Sequence, residues 1–152
     1  MKLDEFEGET ELGWRRGEPS SEVVVRLLSR IPERTKRFVS CYSGWYRILD
    51  RLDSELNYLD PEYKVLEVKE KFGILRFHFE SSKSEIVAEI MANCVRRAEY
   101  ESSLTCEFCG NGFGAYFKER DESVSLRKMG WVKTLCDLCF EKRVARVEGI
   151  NG

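Results

Sequence analysis

Two cysteine pairs constrain this chain more than any other feature of its sequence. Two residues separate Cys106 from Cys109 and Cys136 from Cys139, and 26 residues lie between the pairs. A two-residue spacing lets a tight turn direct both sulfur atoms at one ion, and Zn²⁺ accepts tetrahedral coordination by four cysteines. The pattern therefore predicts one zinc site with Cys106, Cys109, Cys136 and Cys139 as its ligands.

Four ligands of one type close the coordination shell, whereas a catalytic zinc keeps one position open for water. We therefore expect a structural Zn²⁺ that supplies folding free energy to a segment too short to build its own core. An iron–sulfur cluster is the alternative use of four cysteines. A thioredoxin-like redox motif would need one pair on a βαβ unit, and the sequence shows none.

The segment between the two pairs indicates the type of zinc module. Residues 115–118 and 124–126 have the pattern of two short strands, and Gly130 marks a turn before the second pair. That second pair opens a predicted helix over residues 138–147. A knuckle, a hairpin and a second knuckle at a helix N-terminus favour a treble clef. A zinc ribbon, with its second knuckle in another hairpin, is the alternative.

Hydrophobic periodicity predicts an α+β core before the module. A short helix with Val24, Leu27, Leu28 and Ile31 on one side ends before a proline. The second helix has a longer apolar stripe. It consists of Trp45, Ile48, Leu49, Leu52 and Leu56.

A β-hairpin follows, because residues 63–69 and 74–80 alternate apolar and polar side chains around a glycine-containing turn. Leu66 and Val68 should share one face of the first strand. On the second strand the apolar face should be formed by Leu75, Phe77 and Phe79.

A long helix comes next, and Ser82 with Glu85 fits a capping box at its start. We expect it to end between residues 100 and 104. Its predicted buried stripe consists of Ile86, Val87, Ile90, Met91, Cys94, Val95 and Ala98.

These patterns divide the chain into an acidic flexible arm at residues 1–19, an α+β core at 20–104 and a zinc-binding module at 105–150. The formal net charge of -2 gives no strong field toward nucleic acid or membrane. The sequence contains neither a signal peptide nor the run of ~18 apolar residues that a membrane span needs. We expect a cytoplasmic protein with reduced thiols and no membrane contact.

The sequence does not contain a recognisable catalytic set, and we expect no enzymatic activity. His78 is the single histidine, and its place on the polar face of a strand predicts a surface residue. Histidine-dependent treble-clef nucleases need a histidine beside the metal, and this module has none. The two remaining cysteines, Cys41 and Cys94, are predicted to be core residues.

Several stretches together resemble a family of small, largely uncharacterised proteins encoded by bacteria and their phages. They include Gly44-Trp45, the hairpin sequence VKEKFG-x-LRF at residues 68–77, and both cysteine pairs with their flanking residues. The resemblance covers roughly residues 43–140, and the hairpin is its most specific motif. It implies the same zinc ligands and a phage or prophage setting, which would place the protein in the host cytoplasm. No activity is established for the family, so no catalytic residues are carried over.

From these features we expect a non-enzymatic protein that binds a macromolecular partner, namely a host or phage protein. The binding could inhibit a host defence protein. The hairpin turn at residues 69–73 is either a solvated turn with Phe72 tucked inward or a contact loop for a partner. A large exposed apolar patch around Phe72, Phe113 and Trp131 would favour a protein interface. The alternative is a nucleic-acid-binding protein in transcription or genome handling. It would use Lys142, Arg143 and Arg146 on the last helix.

Overall fold

The structure, a computed structural model, describes residues 21–33 and 38–147. Within these ranges the protein is α+β, with four α-helices, a three-stranded sheet and a two-stranded sheet. The predicted arm at residues 1–19 lies outside them, as do residues 148–150 of the predicted module. In chain order the elements are α1 (Ser21–Arg30), β1 (Val39–Ser40), a 3₁₀ turn (Ser43–Trp45), α2 (Tyr46–Leu59), β2 (Lys64–Lys71), β3 (Ile74–Glu80), α3 (Glu85–Ser102), β4 (Val124–Met129), β5 (Trp131–Cys136) and α4 (Asp137–Val147).

The main core lies between α1, α2, α3 and the larger sheet. The predicted stripe of α2 is confirmed, since its five apolar residues from Trp45 to Leu56 are completely buried. A second, smaller cluster of buried side chains surrounds Phe108, Val124 and Leu135 in the module. No helix in the described ranges is long and apolar enough to cross a bilayer.

The larger sheet has the order β1-β2-β3, with β1 parallel to β2 and β2 antiparallel to β3. The prediction that Leu66 shares the inner face with Val68 is wrong. The pairing register shifts between Val65 and Glu67, and this bulge reverses the alternation. As a result Val65 and Val68 are buried, whereas Leu66 is 38% exposed.

The inner face of β3 is as predicted, because Leu75 and Phe77 are buried and Phe79 packs against the core. The outward edge of β3 is covered by α3. The amide of Leu75 donates to Ser102 Oγ at 2.9 Å, and that of Phe77 donates to Glu99 Oε2 at 3.0 Å. These side chains satisfy backbone groups that would otherwise offer an open strand edge.

The start of α3 differs from the prediction. Ser84, and not Ser82, is the N-cap, and its hydroxyl accepts a hydrogen bond from the amide of Val87. Ile86 and Ile90 were expected in the buried stripe but are 75% and 46% exposed. The described elements packed against α3 cover only one side of it. Met91, Cys94, Val95 and Ala98 are therefore buried as predicted, and Val87 packs partly buried against the core.

The module contains one hairpin, in a different place from the predicted one. Residues 115–118 form no strand, because amides there bond to carbonyls three residues earlier, as in Ala115 to Gly112 and Phe117 to Gly114. The hairpin consists of β4 and β5 joined at Gly130. The helix predicted at 138–147 is confirmed as α4.

Candidate metal centre

The four predicted cysteine ligands come together at one point. Cys106 and Cys109 lie in the turn after α3, Cys136 is the last residue of β5, and Cys139 lies in the first turn of α4. All four Sγ atoms lie within 4.8 Å of one another, and those of Cys109 and Cys136 are 3.6 Å apart.

These distances fit a tetrahedral metal ion. Four sulfurs at ~2.3 Å from one Zn²⁺ would be ~3.8 Å from each other by tetrahedral geometry. A disulfide would instead require a sulfur–sulfur distance of about 2.05 Å, and all four thiols are free. The four cysteines can therefore hold a metal ion and fill all of its tetrahedral positions.

The electrostatics of the cluster also match a cation site. A hydrogen bond from Cys109, together with backbone amides, lowers the pKa of the Cys106 thiol to about 5, although burial opposes the shift. Burial, and then the charge of Cys106, raises the pKa of Cys139 to about 12. Several thiolates cannot share this small volume without a cation, because like charges at this distance disfavour further ionisation.

Backbone contacts fix the first knuckle directly against the core. The amide of Gly44 donates to the carbonyl of Glu107 at 2.8 Å, and Trp45 Nε1 donates to the carbonyl of Thr105 at 2.9 Å. A Cβ added to Gly44 would lie 2.2 Å from the carbonyl oxygen of Cys106. Only glycine allows this approach, so the start of α2 and the metal turn behave as one packed unit.

A buried charge cluster joins the knuckle, β5 and β2. Lys133 Nζ lies 2.8 Å from Glu70 and 3.0 Å from Glu107, whose side chain is fully buried. Burial raises the pKa of Glu107 to about 7, partly offset by the ammonium of Lys133. Burial lowers the pKa of Lys133, but the two carboxylates outweigh it and the net direction is upward. The lysine therefore stays charged and bridges both acids.

The turn of the β2–β3 hairpin rests on the module. Thr134 Oγ1 donates to the carbonyl of Gly73 at 2.7 Å, and the side chain of Leu126 packs against Gly73. Phe72 and Gly73 have φ values of 54° and 79°, so both occupy the left-handed region. Phe72 is 69% exposed and Leu126 is 60% exposed. We call Phe72, Gly73 and Leu126 the hairpin tip.

The other predicted residues have separate environments. Cys41 and Cys94 are buried core residues, as expected. His78 is exposed, with Nδ1 3.6 Å from a carboxylate oxygen of Glu67. Phe113 packs partly buried against the core, 4.2 Å from the guanidinium of Arg47.

The region predicted around Trp131 and the last helix is partly covered by its own contacts. The guanidinium of Arg143 lies 4.4 Å from the centre of the Trp131 ring, so these two residues shield each other. Lys142 and Arg146 are exposed.

Sequence reasoning missed three features of the site. Leu126 was assigned to a short strand and not to an exposed surface, and neither the Glu107–Lys133 pair nor the packing of Gly44 was foreseen. An acid placed between two metal ligands was the available signal for Glu107. The close approach at Gly44 depends on two segments more than 60 residues apart in sequence, and one sequence carries no signal for it. No protein-family model, no curated protein and no solved structure matches this chain.

Proposed function

We propose that the four cysteines bind one structural Zn²⁺ and that the module is a treble clef. The arrangement of a knuckle, the β4–β5 hairpin and a second cysteine pair at the start of α4 supports this. Four sulfur ligands leave the ion no open position for substrate. Metal analysis of the purified protein tests the proposal, with about one zinc per chain expected. Iron with visible absorption, or a variant C109S that keeps its full metal content, would contradict it.

The protein as a whole acts, in this proposal, without catalysis by binding a protein partner through the hairpin tip. The observation that carries it is the conformation of Phe72. A bulky side chain with positive φ costs about 1–2 kcal/mol, and asparagine or glycine is the usual residue in such two-residue turns. Burial of the Phe72 ring would offset that cost, but the ring is 69% exposed.

An exposed aromatic ring in a strained turn is suited to recognition. Exposed aromatic and aliphatic side chains at a rigid position supply the apolar centre of many protein interfaces. The hairpin tip is held by the Thr134 contact and by the packing of Leu126 on Gly73. Binding there would not require the tip to become ordered first, which removes one entropic cost of association.

The setting of this activity is a phage or prophage in a bacterial host, as the resemblance of the hairpin and cysteine motifs implies. A small protein with a rigid surface and no catalytic set is suited to act on a host protein, including one of the defence machinery. This part of the proposal rests on analogy with other phage accessory proteins.

The variant Phe72→Asn tests whether the Phe72 ring is needed for partner binding while the protein stays folded. Asparagine tolerates the left-handed conformation, so the turn should persist while the ring is lost. We expect capture of the partner from lysate of the bacterial host to fall at least tenfold. Tyr58→Ala is the matched control, because Tyr58 is an aromatic residue of α2 that is 87% exposed and lies beside Glu55 and Cys94. Equal capture by the wild type and Phe72→Asn, or no specific partner for either, would refute the proposal.

A nucleic-acid-binding role is the second candidate, and the exposure of Lys142 and Arg146 on α4 favours it. Such binding should weaken steeply with salt, because phosphate contacts release counterions. A gel-shift titration at low salt tests it. Lys142→Glu with Arg146→Glu should abolish any shift, and no retardation of the wild type removes this candidate.

A further inference from the structure

The outer side of the β2–β3 hairpin carries concentrated positive charge. Lys69 lies opposite Arg76 in the ladder, and Lys71 follows two residues later, so all three project from the side away from the core. Lys69 lies 3.2 Å from Glu67. Within the described chain neither Lys71 nor Arg76 has an acidic partner. We call Lys69, Lys71 and Arg76 the basic face.

The basic face continues into the hairpin tip. Lys71 Nζ lies 5.8 Å from the centre of the Phe72 ring. On the module, Lys128 is exposed two residues after Leu126, on the same side of β4. Lys71 and Lys128 therefore place positive charge beside the exposed side chains of Phe72 and Leu126. A peptide that combines carboxylates with apolar side chains complements this surface. Nucleic acid fits less well, because a base could stack on the Phe72 ring but not on the aliphatic Leu126.

The chain itself contains a peptide of this composition. Residues 1–19 hold six acidic and three basic side chains, and Phe6, Leu12 and Trp14 are interspersed among them. The whole chain has a formal charge of -2, so without this segment the rest has a charge of +1. Nineteen extended residues reach up to ~65 Å, more than the ~36 Å diameter of a compact domain of this size.

We propose that residues 1–19 bind the basic face and the hairpin tip of their own chain and compete there with the external partner. The inference rests on the proposed function, because a competitor matters only if the tip has a partner. A tether of this length gives an effective concentration on the order of millimolar, so weak contacts suffice for occupancy. A partner must then displace the segment, and removal of its charges should strengthen partner binding.

Zero-length carbodiimide cross-linking of the full chain tests the contact, because it joins only carboxylates and amines in direct contact. At low protein concentration we expect mass spectrometry to find bonds within one chain from Asp4, Glu5, Glu7, Glu9 or Glu11 to Lys69, Lys71 or Lys128. The yield should fall severalfold in 0.5 M salt, where the screening length is about 4 Å.

Arg76→Glu reverses one charge of the basic face without removing a reactive amine. We expect it to lower these cross-links at least threefold, and the matched control Arg146→Glu on α4 to leave them unchanged. Thermal unfolding of both variants establishes that they are folded. Cross-links spread over all exposed lysines, equal effects of the two variants, or bonds formed only between chains would overturn the inference.

Partner capture distinguishes this inference from the proposed function. If Phe72→Asn loses the partner while the cross-links are absent, the inference fails and the proposed function stands. If the cross-links form while Phe72→Asn captures the partner normally, the proposed function fails. If both hold, Glu5→Gln with Glu7→Gln and Glu9→Gln should raise partner capture severalfold, and unchanged capture would contradict competition.

Discussion

At the scale of single residues, the left-handed backbone of Phe72 and the missing side chain of Gly44 have opposite effects on stability. Phe72 occupies a left-handed conformation that suits other residues better. Gly44 allows the metal turn to approach α2 more closely than any side chain would permit. Phe72 lowers the stability of the fold at an exposed surface, whereas Gly44 allows a stabilising contact at a buried one.

Phe72→Asn should therefore raise stability while it removes binding. Relief of the left-handed phenylalanine is worth about 1 kcal/mol of unfolding free energy, and little packing is lost because the ring is 69% exposed. Denaturant unfolding measures the change. Phe72→Ala is the comparison, because alanine keeps the strain and should not stabilise. A loss of stability in Phe72→Asn would mean that the ring packs in the folded protein.

Gly44→Ala should destabilise the junction between core and module. The added methyl group would lie 2.2–2.4 Å from backbone atoms of Cys106 and Glu107, and neither segment can yield without losing hydrogen bonds. We expect a cost of about 3 kcal/mol, at the upper end for overpacking, together with weaker metal binding. Gly130→Ala tests a glycine whose Cβ would contact nothing, so only its positive φ is strained. Equal metal affinity in wild type and Gly44→Ala would contradict the proposal that Gly44 couples the core to the metal turn.

At the scale of elements, side chains of α3 close the open edge of the larger sheet. Glu99 and Ser102 accept hydrogen bonds from the amides of Phe77 and Leu75, two outward amides of β3 that a neighbouring strand would otherwise take. Such protection keeps a short sheet from pairing with another chain. The two hydrogen bonds also fix α3 along β3, a contact that the sequence does not indicate.

Glu99→Ala should open this edge locally. The amide of Phe77 would lose a charged acceptor, and hydrogen bonds of that type contribute about 1.5–3 kcal/mol. Amide hydrogen exchange at Phe77 is expected to accelerate at least tenfold, with Leu75 affected less. Glu89→Ala on the same helix is the control, because Glu89 is exposed and pairs with Arg96. Unchanged exchange at Phe77 would show that the edge does not depend on Glu99.

At the scale of the whole molecule, two clusters of buried side chains are joined through a few polar and backbone contacts. The larger cluster contains apolar side chains from three helices and a sheet, and the smaller one includes Cys106 and Cys136, with Cys139 packed against it. The bridge of Lys133 between Glu70 and Glu107 connects them. Loss of the metal should therefore destabilise the module and the hairpin tip before it destabilises the larger cluster.

Chelation at neutral pH should expose four thiols and leave two protected. Cys41 and Cys94 are buried in the larger cluster, whereas chelation would release the four candidate ligands from the ion that we propose they bind. A thiol reagent should count four fast sites after chelation and none with metal bound. Acidification should act in the same direction, because the ligands bind as thiolates and protonation competes with the metal. Six equally fast thiols would mean that the core also requires the ion.

Much of the secondary structure could be predicted because local periodicity reports which face is buried. The stripe of α2, the inner face of β3 and the helix after the second cysteine pair are all confirmed. The errors occur where tertiary contacts override the local pattern. The bulge at Leu66 changes the face of β2, and Ile86 and Ile90 lie where none of the described elements covers α3.

The sequence by itself determined the four candidate ligands, since two short spacings suffice to bring sulfur atoms to one ion. It also determined the α+β class and the hairpin that precedes α3. Only the tertiary structure decided that Gly44 lies under the metal turn and that Leu126 joins Phe72 in one exposed tip. The physical reason is distance along the chain: a knuckle is made by neighbouring residues, whereas surfaces and junctions form between segments whose encounter depends on the packing of the whole core.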